Sequence, residues 1–396
     1  MRTIALLAFL IVAGCSEQLD GGAPYCAELS EIATIGSQGS AAVAFTQVAD
    51  IAVDHGRRLF VAQPRDGIVM VLEPPFERYT ELGRRGDGPG EFQIPVNVFT
   101  RGDSIVVGDN GNRSVSVFDS DLRFVRRVAL KGGPVDHIAR APNGVFVDGT
   151  LVVGTSAPAH LATTGAITFA PVLLGAADGT VGDTLFTVSL AHRDLGIRNP
   201  DRPWAGLFLA QPFADNPLWE PLSDGDAIIV VDRAVASAPN GADFHVTAID
   251  AEGDTVYRRT IDYEPVDIPT SVADSIVNAF VEAVLRARGP GITSAGRARD
   301  AVMKSLHLPP SFPPVTAVFA SQEGNFWIRR EESDVEATWQ RMLGKSGSLD
   351  ISVRAPAQWR GLDAAGDTLW GVQTDSDGVQ SIVGYEIDRD DCSMEE

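Results

Sequence analysis

Very little in this 396-residue chain advertises chemistry. Six histidines (His55, His137, His160, His192, His245, His307) show neither H-x-x-x-H nor H-E-x-x-H spacing, so no local zinc motif exists. "GKSG" at 344–347 could close a phosphate-binding loop, but the first glycine such a loop needs would fall at Trp339. "GTSAP" (154–158) and "GKSGS" (344–348) both lack the final glycine of a nucleophile elbow. Paired aspartates at 119–121, 224–226 and 375–377 lack the spacing and terminal glutamate of an EF-hand, and read as hairpin turns. Basic charge is scarce: 32 Lys and Arg against 53 Asp and Glu give a formal net charge of −21, which argues against nucleic acid as a partner. No linker-like stretch divides residues 40–390. A length beyond one ordinary core then calls for a repeating architecture.

The start of the chain carries an address. Arg2 precedes an apolar run over residues 4–13, too short for a membrane span of about 20 residues and suited to a secretion signal. "VAGC" ends the run at Cys15 and resembles the bacterial lipobox, with Val12 where that motif usually has leucine. The resemblance implies cleavage after Gly14 and diacylglycerol on Cys15. Residues 1–14 are then signal peptide and 15–40 a lipidated tether. The expected product is an exported bacterial lipoprotein, anchored to the membrane on the periplasmic or cell-surface side. Cys26 and Cys392 are left near the two ends of the body. In an exported chain they are expected to form a disulfide, with two independent thiols as the alternative.

Strand signals dominate the remainder. "ADIAVDHGRRLFVAQ" (49–63), "VNVFTRGDSIVVGD" (96–109), "TAVFASQEGNFWIRR" (316–330) and "RGLDAAGDTLWGVQT" (360–374) each place a Gly-containing turn between two apolar strands. Residues 137–154 and 221–233 are weaker versions, and 115–128 and 246–260 add second hairpins. Two hairpins in tandem make a four-stranded propeller blade. Repeat starts near 46, 94, 136, 221, 315 and 359 predict an all-β, six-bladed β-propeller of four-stranded antiparallel blades over 41–392, with 393–396 as a tail. Trp327, Trp370, Phe118 and Phe60 fall in strands and are expected in blade cores.

One stretch is more specific. "GRRGDGPGEFQIP" (83–95) followed by "VVGDNGNRSVSVFD" resembles the NHL-type propeller repeat through Gly83, Gly86, Gly88, Gly90, Phe92, Pro95, Asp109, Asn112, Arg113, Val115, Val117 and Phe118. The match covers residues 83–130. It implies the propeller fold and no particular activity. Phe92 is expected to wedge between blades, and Asp109 and Asn112 to close the turn through side-chain bonds to backbone.

Residues 270–307 break the β pattern. Ala273, Ile276, Val277, Phe280 and Val284 recur at helical spacing, Ser271 with Asp274 approximates a capping box, and Gly289 can end the helix. Residues 294–308 predict a second helix, stopped by Pro309 and Pro310. Arg286, Arg288, Arg297, Arg299 and Lys304 make this insertion locally basic; it is expected to brace one propeller face, with a partner- or ligand-facing lid as the alternative, in which Arg286 and Arg288 are the candidate contacts.

No catalytic residue and no metal ligand is assigned. Asp50, Asn97, Asp136, His137 and Arg360, at the starts of innermost strands, are the candidate channel residues, subject to strand register. The expected function is a membrane-anchored, non-catalytic binding or scaffold module for a protein, peptide or glycan, with no cofactor. The alternative, a calcium-dependent lactonase-like hydrolase or lyase, would hold Ca2+ in the channel through Asp50, Asn97 and Asp136. Its expected glutamate is missing from the starts of the innermost strands.

Overall fold

The computed structural model describes residues 26–36, 43–134, 137–156, 168–199, 202–238, 241–287, 291–331 and 335–389. Residues 1–25, Asp136, Arg288, Cys392 and the side chain of Cys26 lie outside the described residues, and with them the expected signal peptide, the expected lipid site at Cys15 and the expected disulfide.

After β1 (Cys26–Ile35) the chain runs through antiparallel meanders. The first sheet is β2 (Asp50–Val53), β3 (Leu59–Gln63), β4 (Ile68–Leu72) and β5 (Tyr79–Leu82). The second is β6 (Pro95–Arg101), β7 (Ser104–Asp109), β8 (Ser114–Phe118) and β9 (Phe124–Ala129). A short β10 (Lys131–Gly132) pairs parallel with the outer strand of the third, which is β11 (Ile138–Val145), β12 (Leu151–Ser156), β13 (Phe169–Gly175) and β14 (Thr180–Ser189). A separate hairpin of β15 (Asp194–Asn199) and β16 (Arg202–Ala210) follows. Next come β17 (Leu218–Pro221), β18 (Ile228–Ala238), β19 (Gly241–Ile249) and β20 (Thr255–Tyr263). Beyond two helices lie β21 (Ala317–Ala320), β22 (Phe326–Glu331), β23 (Glu336–Met342) and β24 (Leu349–Pro356), then β25 (Trp359–Ala365), β26 (Thr368–Thr374) and β27 (Gln380–Asp388). These last two groups form one eight-stranded sheet, because β1 pairs parallel with β24 at Cys26 and Ala27 and antiparallel with β27 from Glu28 to Ile35.

The arrangement is all-β and propeller-like. Middle strands are buried on both faces, as "LFVAQ" of β3 is throughout, because each sheet is packed between two others. The core is accordingly divided among the gaps between sheets. Leu59, Val61 and Met70 of the first sheet meet Trp370, Val372 and Ile382. On its other face Phe60, Val71 and Phe92 meet Val98, Val107 and Phe118. Trp327 and Trp339 meet Trp359, Leu369 and Tyr385 in an aromatic ladder within the eight-stranded sheet. First strands touch in a closed cyclic order: β2, β6, β11, β17, β21, β25 and again β2.

The loop at 83–95 shows why its composition is so particular. Phe92 is fully buried between the first two sheets. Gly83 has φ +77°, and a Cβ there would collide with the Phe92 ring. Asp109 is buried too, and its carboxylate accepts from the amides of Gln93 (2.9 Å), Ile94 (2.8 Å) and Gly111 (2.9 Å). One side chain thereby satisfies backbone donors that neither strand supplies with a partner.

The insertion forms α1 (Thr270–Arg286) and α2 (Ala295–Ser305). Val277, Val284, Ala298 and Val302 bury against Leu195 and Ile197 of β15, which gives this helical pair the apolar partner that short helices need. The expected capping box at Ser271 is absent. Pro269 occupies the N-cap position without a side-chain bond, while Ser294 caps α2 by accepting from the Arg297 amide. α1 ends at Arg286 with Ala287 as C-cap, ahead of Gly289.

Candidate functional site: an acid-lined channel

The closed order of first strands encloses a cavity of about 70 Å³. Its walls draw on all of them: Asp50–Ala52 of β2, Val98–Arg101 of β6, Asn143–Val145 of β11, Glu220 and Pro221 of β17, Ala320 of β21 with Gln322 beyond it, and Leu362 and Asp363 of β25. In several of these strands the lining residues stand at the C-terminal end. The channel is therefore built mainly from strand ends rather than strand starts.

Three carboxylates converge there, and they are not equivalent. Asp50 accepts from its neighbour Ile51 N (3.0 Å) and from Val98 N of the second sheet (2.9 Å). Asp363 accepts from Val53 N of the first sheet (2.7 Å) and from Ala364 N (2.8 Å). Both acids stitch one sheet to the next through backbone donors. Glu220 makes no comparable bond among the described residues. Nearby, Arg101 donates to the carbonyl of Val145 (3.0 Å), and Arg360 donates to that of Val48 (3.3 Å). The Gln322 side-chain nitrogen is buried without an acceptor.

The electrostatics follow from crowding in a confined space walled by protein. Asp50 and Glu220 keep part of their surface open to the cavity, yet protein surrounds them on every side. Burial pushes Asp50 up to about 7, against the Val98 and Ile51 amides and the Arg360 charge, which favour ionisation. Burial first, then the charges of Asp50 and Asp363, hold Glu220 well above the ordinary carboxylate range. Asp363 is raised likewise by burial, opposed by the Val53 and Ala364 amides and reinforced by Asp50 and Glu323. Ionisation of any one of these carboxylates disfavours ionisation of the others, and a cation placed among them would favour the charged forms.

Of the sequence candidates, the structure places Asp50 in the cavity wall with the Arg360 charge close enough to act on it. Asn97 turns aside and donates to the Pro142 carbonyl (3.0 Å). His137 bonds the Phe169 carbonyl (3.0 Å), away from the cavity lining. Arg286 is exposed and pairs with Glu282 one turn earlier (3.4 Å), and no residue of α1 or α2 lines the cavity. Glu220, Asp363, Arg101 and Gln322 are the residues that sequence reasoning missed. A glutamate does stand on an innermost strand, but at its far end.

A second cluster lies at the foot of the insertion. His192, Asp215 and His307 hold donor atoms within 4.8 Å of one another, the one such group of three or more His, Cys, Asp or Glu among the described residues.

No protein-family model matches the chain, and no curated protein matches its sequence. Similar solved structures include the calcium-binding protein regucalcin from Agrobacterium tumefaciens, 11% identical with a TM-score of 0.43 over 91% of this chain and 95% of that one. A gluconolactonase from Xanthomonas campestris is 12% identical with a TM-score of 0.41, over 92% of this chain and 98% of that one. Virginiamycin B lyase from Staphylococcus aureus is 10% identical with a TM-score of 0.41, over 90% and 98%. Function resides in particular side chains rather than in a fold, and likeness at this level does not extend to them.

Proposed function

We propose that the protein is an exported, membrane-anchored propeller whose channel binds a cationic group of a protein or peptide partner without catalysis. The observation that carries this reading is Glu220, a carboxylate with no hydrogen-bond partner among the described residues, set beside Asp50 and Asp363. An ammonium or guanidinium placed there relieves the mutual repulsion of the three acids, and an adjoining peptide carbonyl answers the unsatisfied amide nitrogen of Gln322.

In this reading the eight-stranded sheet is two blades joined through β1, which makes six blades in all, as the cyclic order of first strands supports. The anchor is Cys15. No helix among the described residues is long and apolar enough to cross a membrane. Replacing Cys15 with Ser is expected to move the protein out of the membrane fraction or leave an unprocessed precursor. Unchanged fractionation with an unshifted mass rejects the anchor.

Calcium in the channel fits poorly. Calcium takes roughly six to eight oxygens; the Asp50 and Asp363 oxygens each accept one backbone amide and keep a further lone pair, and Asn97 bonds Pro142 through its nitrogen, so these three side chains and Glu220 supply only part of such a shell.

The binding reading is tested by calorimetric titration with short peptides bearing Arg or Lys, against the same peptides carrying citrulline or acetyl-lysine. The charged peptides are expected to bind at pH 8 and to weaken on acidification, by up to about tenfold per pH unit as the acids take up a proton. Equal binding of charged and neutral peptides, or binding that strengthens at pH 6, refutes it.

A further inference from the structure

His192, Asp215 and His307 come from three separate places in the chain. His192 sits in the turn between β14 and β15, in the left-handed region at φ +53°. Asp215 lies in the loop before β17, and His307 lies just past the C-terminus of α2. The His192 Nδ1 is 3.0 Å from one Asp215 oxygen, and the His307 Nε2 is 3.8 Å from the other. The two imidazoles stack with centroids 3.8 Å apart and planes 6° from parallel.

The surroundings hold these groups in place. Gln211 is buried and grips the chain on both sides of Leu306, donating to the Ser305 carbonyl (2.9 Å) and accepting from the His307 amide (3.0 Å). Buried Arg233 secures the Asp215 loop by donating to the Asn216 carbonyl (2.7 Å). Burial, then the charge of His192, lowers the pKa of His307 despite the opposing pull of Asp215.

We propose that His192, Asp215 and His307 form a binding site for a divalent transition metal of the zinc class, which clamps the helical insertion onto the propeller. Two imidazoles and a carboxylate suit borderline ions such as Zn2+, and three protein ligands leave a position for water. Two stacked parallel rings cannot both aim their in-plane lone pairs at one ion. Coordination therefore draws His192, whose side chain is half exposed, out of the stack. Its Nδ1 then presents a lone pair, with the ring proton carried on Nε2. The site is separate from the channel, and shares no residue with the cavity lining.

The test is titration of the purified, chelator-treated protein with Zn2+ by calorimetry and with Co2+ by visible absorption, for the parent, His192→Ala, His307→Ala and Glu220→Gln. One equivalent of metal is expected for the parent and for Glu220→Gln, with a higher thermal midpoint in the metal-bound form. Either histidine variant is expected to lose at least about 100-fold in affinity, the upper end of what loss of a merely supporting contact causes. His192 is exposed enough that its removal leaves folding intact, and circular dichroism verifies this for both histidine variants. Absence of stoichiometric binding by the parent, or unaltered binding by the histidine variants, overturns the proposal. Loss confined to Glu220→Gln also overturns it, and places the metal in the channel instead.

Discussion

Glu220→Gln is expected to raise the thermal midpoint at pH 8 and to leave it unchanged at pH 4. The sign follows from proton linkage. Glu220 keeps its proton in the folded protein at pH values where the unfolded chain has released it, because its folded pKa is raised by burial and by two neighbouring acids. Between the ordinary value and the raised one, the folded state binds more protons, so stability falls as pH climbs through that window. Glutamine resembles the protonated acid in size and polarity, and sacrifices no observed hydrogen bond. At pH 4 both proteins are neutral at this position and should melt together. At pH 8 only the parent bears the cost of a carboxyl group whose ionisation the folded channel opposes. Relief of about 1 kcal/mol corresponds to about 2–4 °C in a domain of ~150–250 residues, and less in a larger one, so a rise on the order of 2 °C is expected. Melting curves at the two pH values measure it. A variant less stable than the parent at pH 8, or shifted equally at both, is incompatible with the channel electrostatics described above.

The second large effect is expected from removal of the segment through Gly36, which deletes β1. This strand contributes Ala27 and Leu29 to the core shared by the Trp-rich meanders, and Ala33 and Ile35 to the core between the last and first sheets. Burial of Ile35 alone is worth about 2 kcal/mol. The deletion also leaves the edges of β24 and β27 with unpaired backbone groups, which favours association of chains edge to edge. The shortened protein is expected to lose its cooperative melt and to aggregate, as followed by near-ultraviolet circular dichroism and light scattering. Adding a synthetic peptide of residues 26–36 in excess should restore part of the signal from the buried tryptophans Trp339, Trp359 and Trp370. A shortened protein that melts like the parent shows that β1 is not integral to the ring.

What could be read in advance depended on whether the signal was local. The loop before β6 was legible because its glycines, Phe92 and Asp109 each answer a neighbour within about one hairpin. The strands were legible because short apolar runs, buried on both faces in strands such as β3, are separated by Gly-containing turns. The pair of helices announced itself through its period, though its first cap did not, since Pro269 opens α1 without a side-chain bond. The hairpin of β15 and β16 escaped notice because residues 200–203 interrupt the apolar pattern with two prolines. Glu220 escaped for a different reason. In "PLWEPL" nothing local distinguishes a glutamate facing a channel from one facing water, and only the convergence of separate sheets supplies the difference. The same holds for His192 and His307, which become neighbours solely because the insertion returns to the turn before β15.

The way β1 completes the eight-stranded sheet has a consequence for the order in which the molecule matures. Most strands find their partners within a few dozen residues, so individual meanders can assemble while the rest of the chain is still being delivered. β1 cannot, because its antiparallel partner is Gln380–Asp388, nearly the whole chain away. The entropy of closing so long a loop grows only logarithmically with its length, but contacts this distant in sequence form slowly. The first of the described strands to leave the ribosome thus waits longest for its antiparallel partner, and until residue 388 has arrived the ring stays open, with the edge of β1 that faces β27 bare.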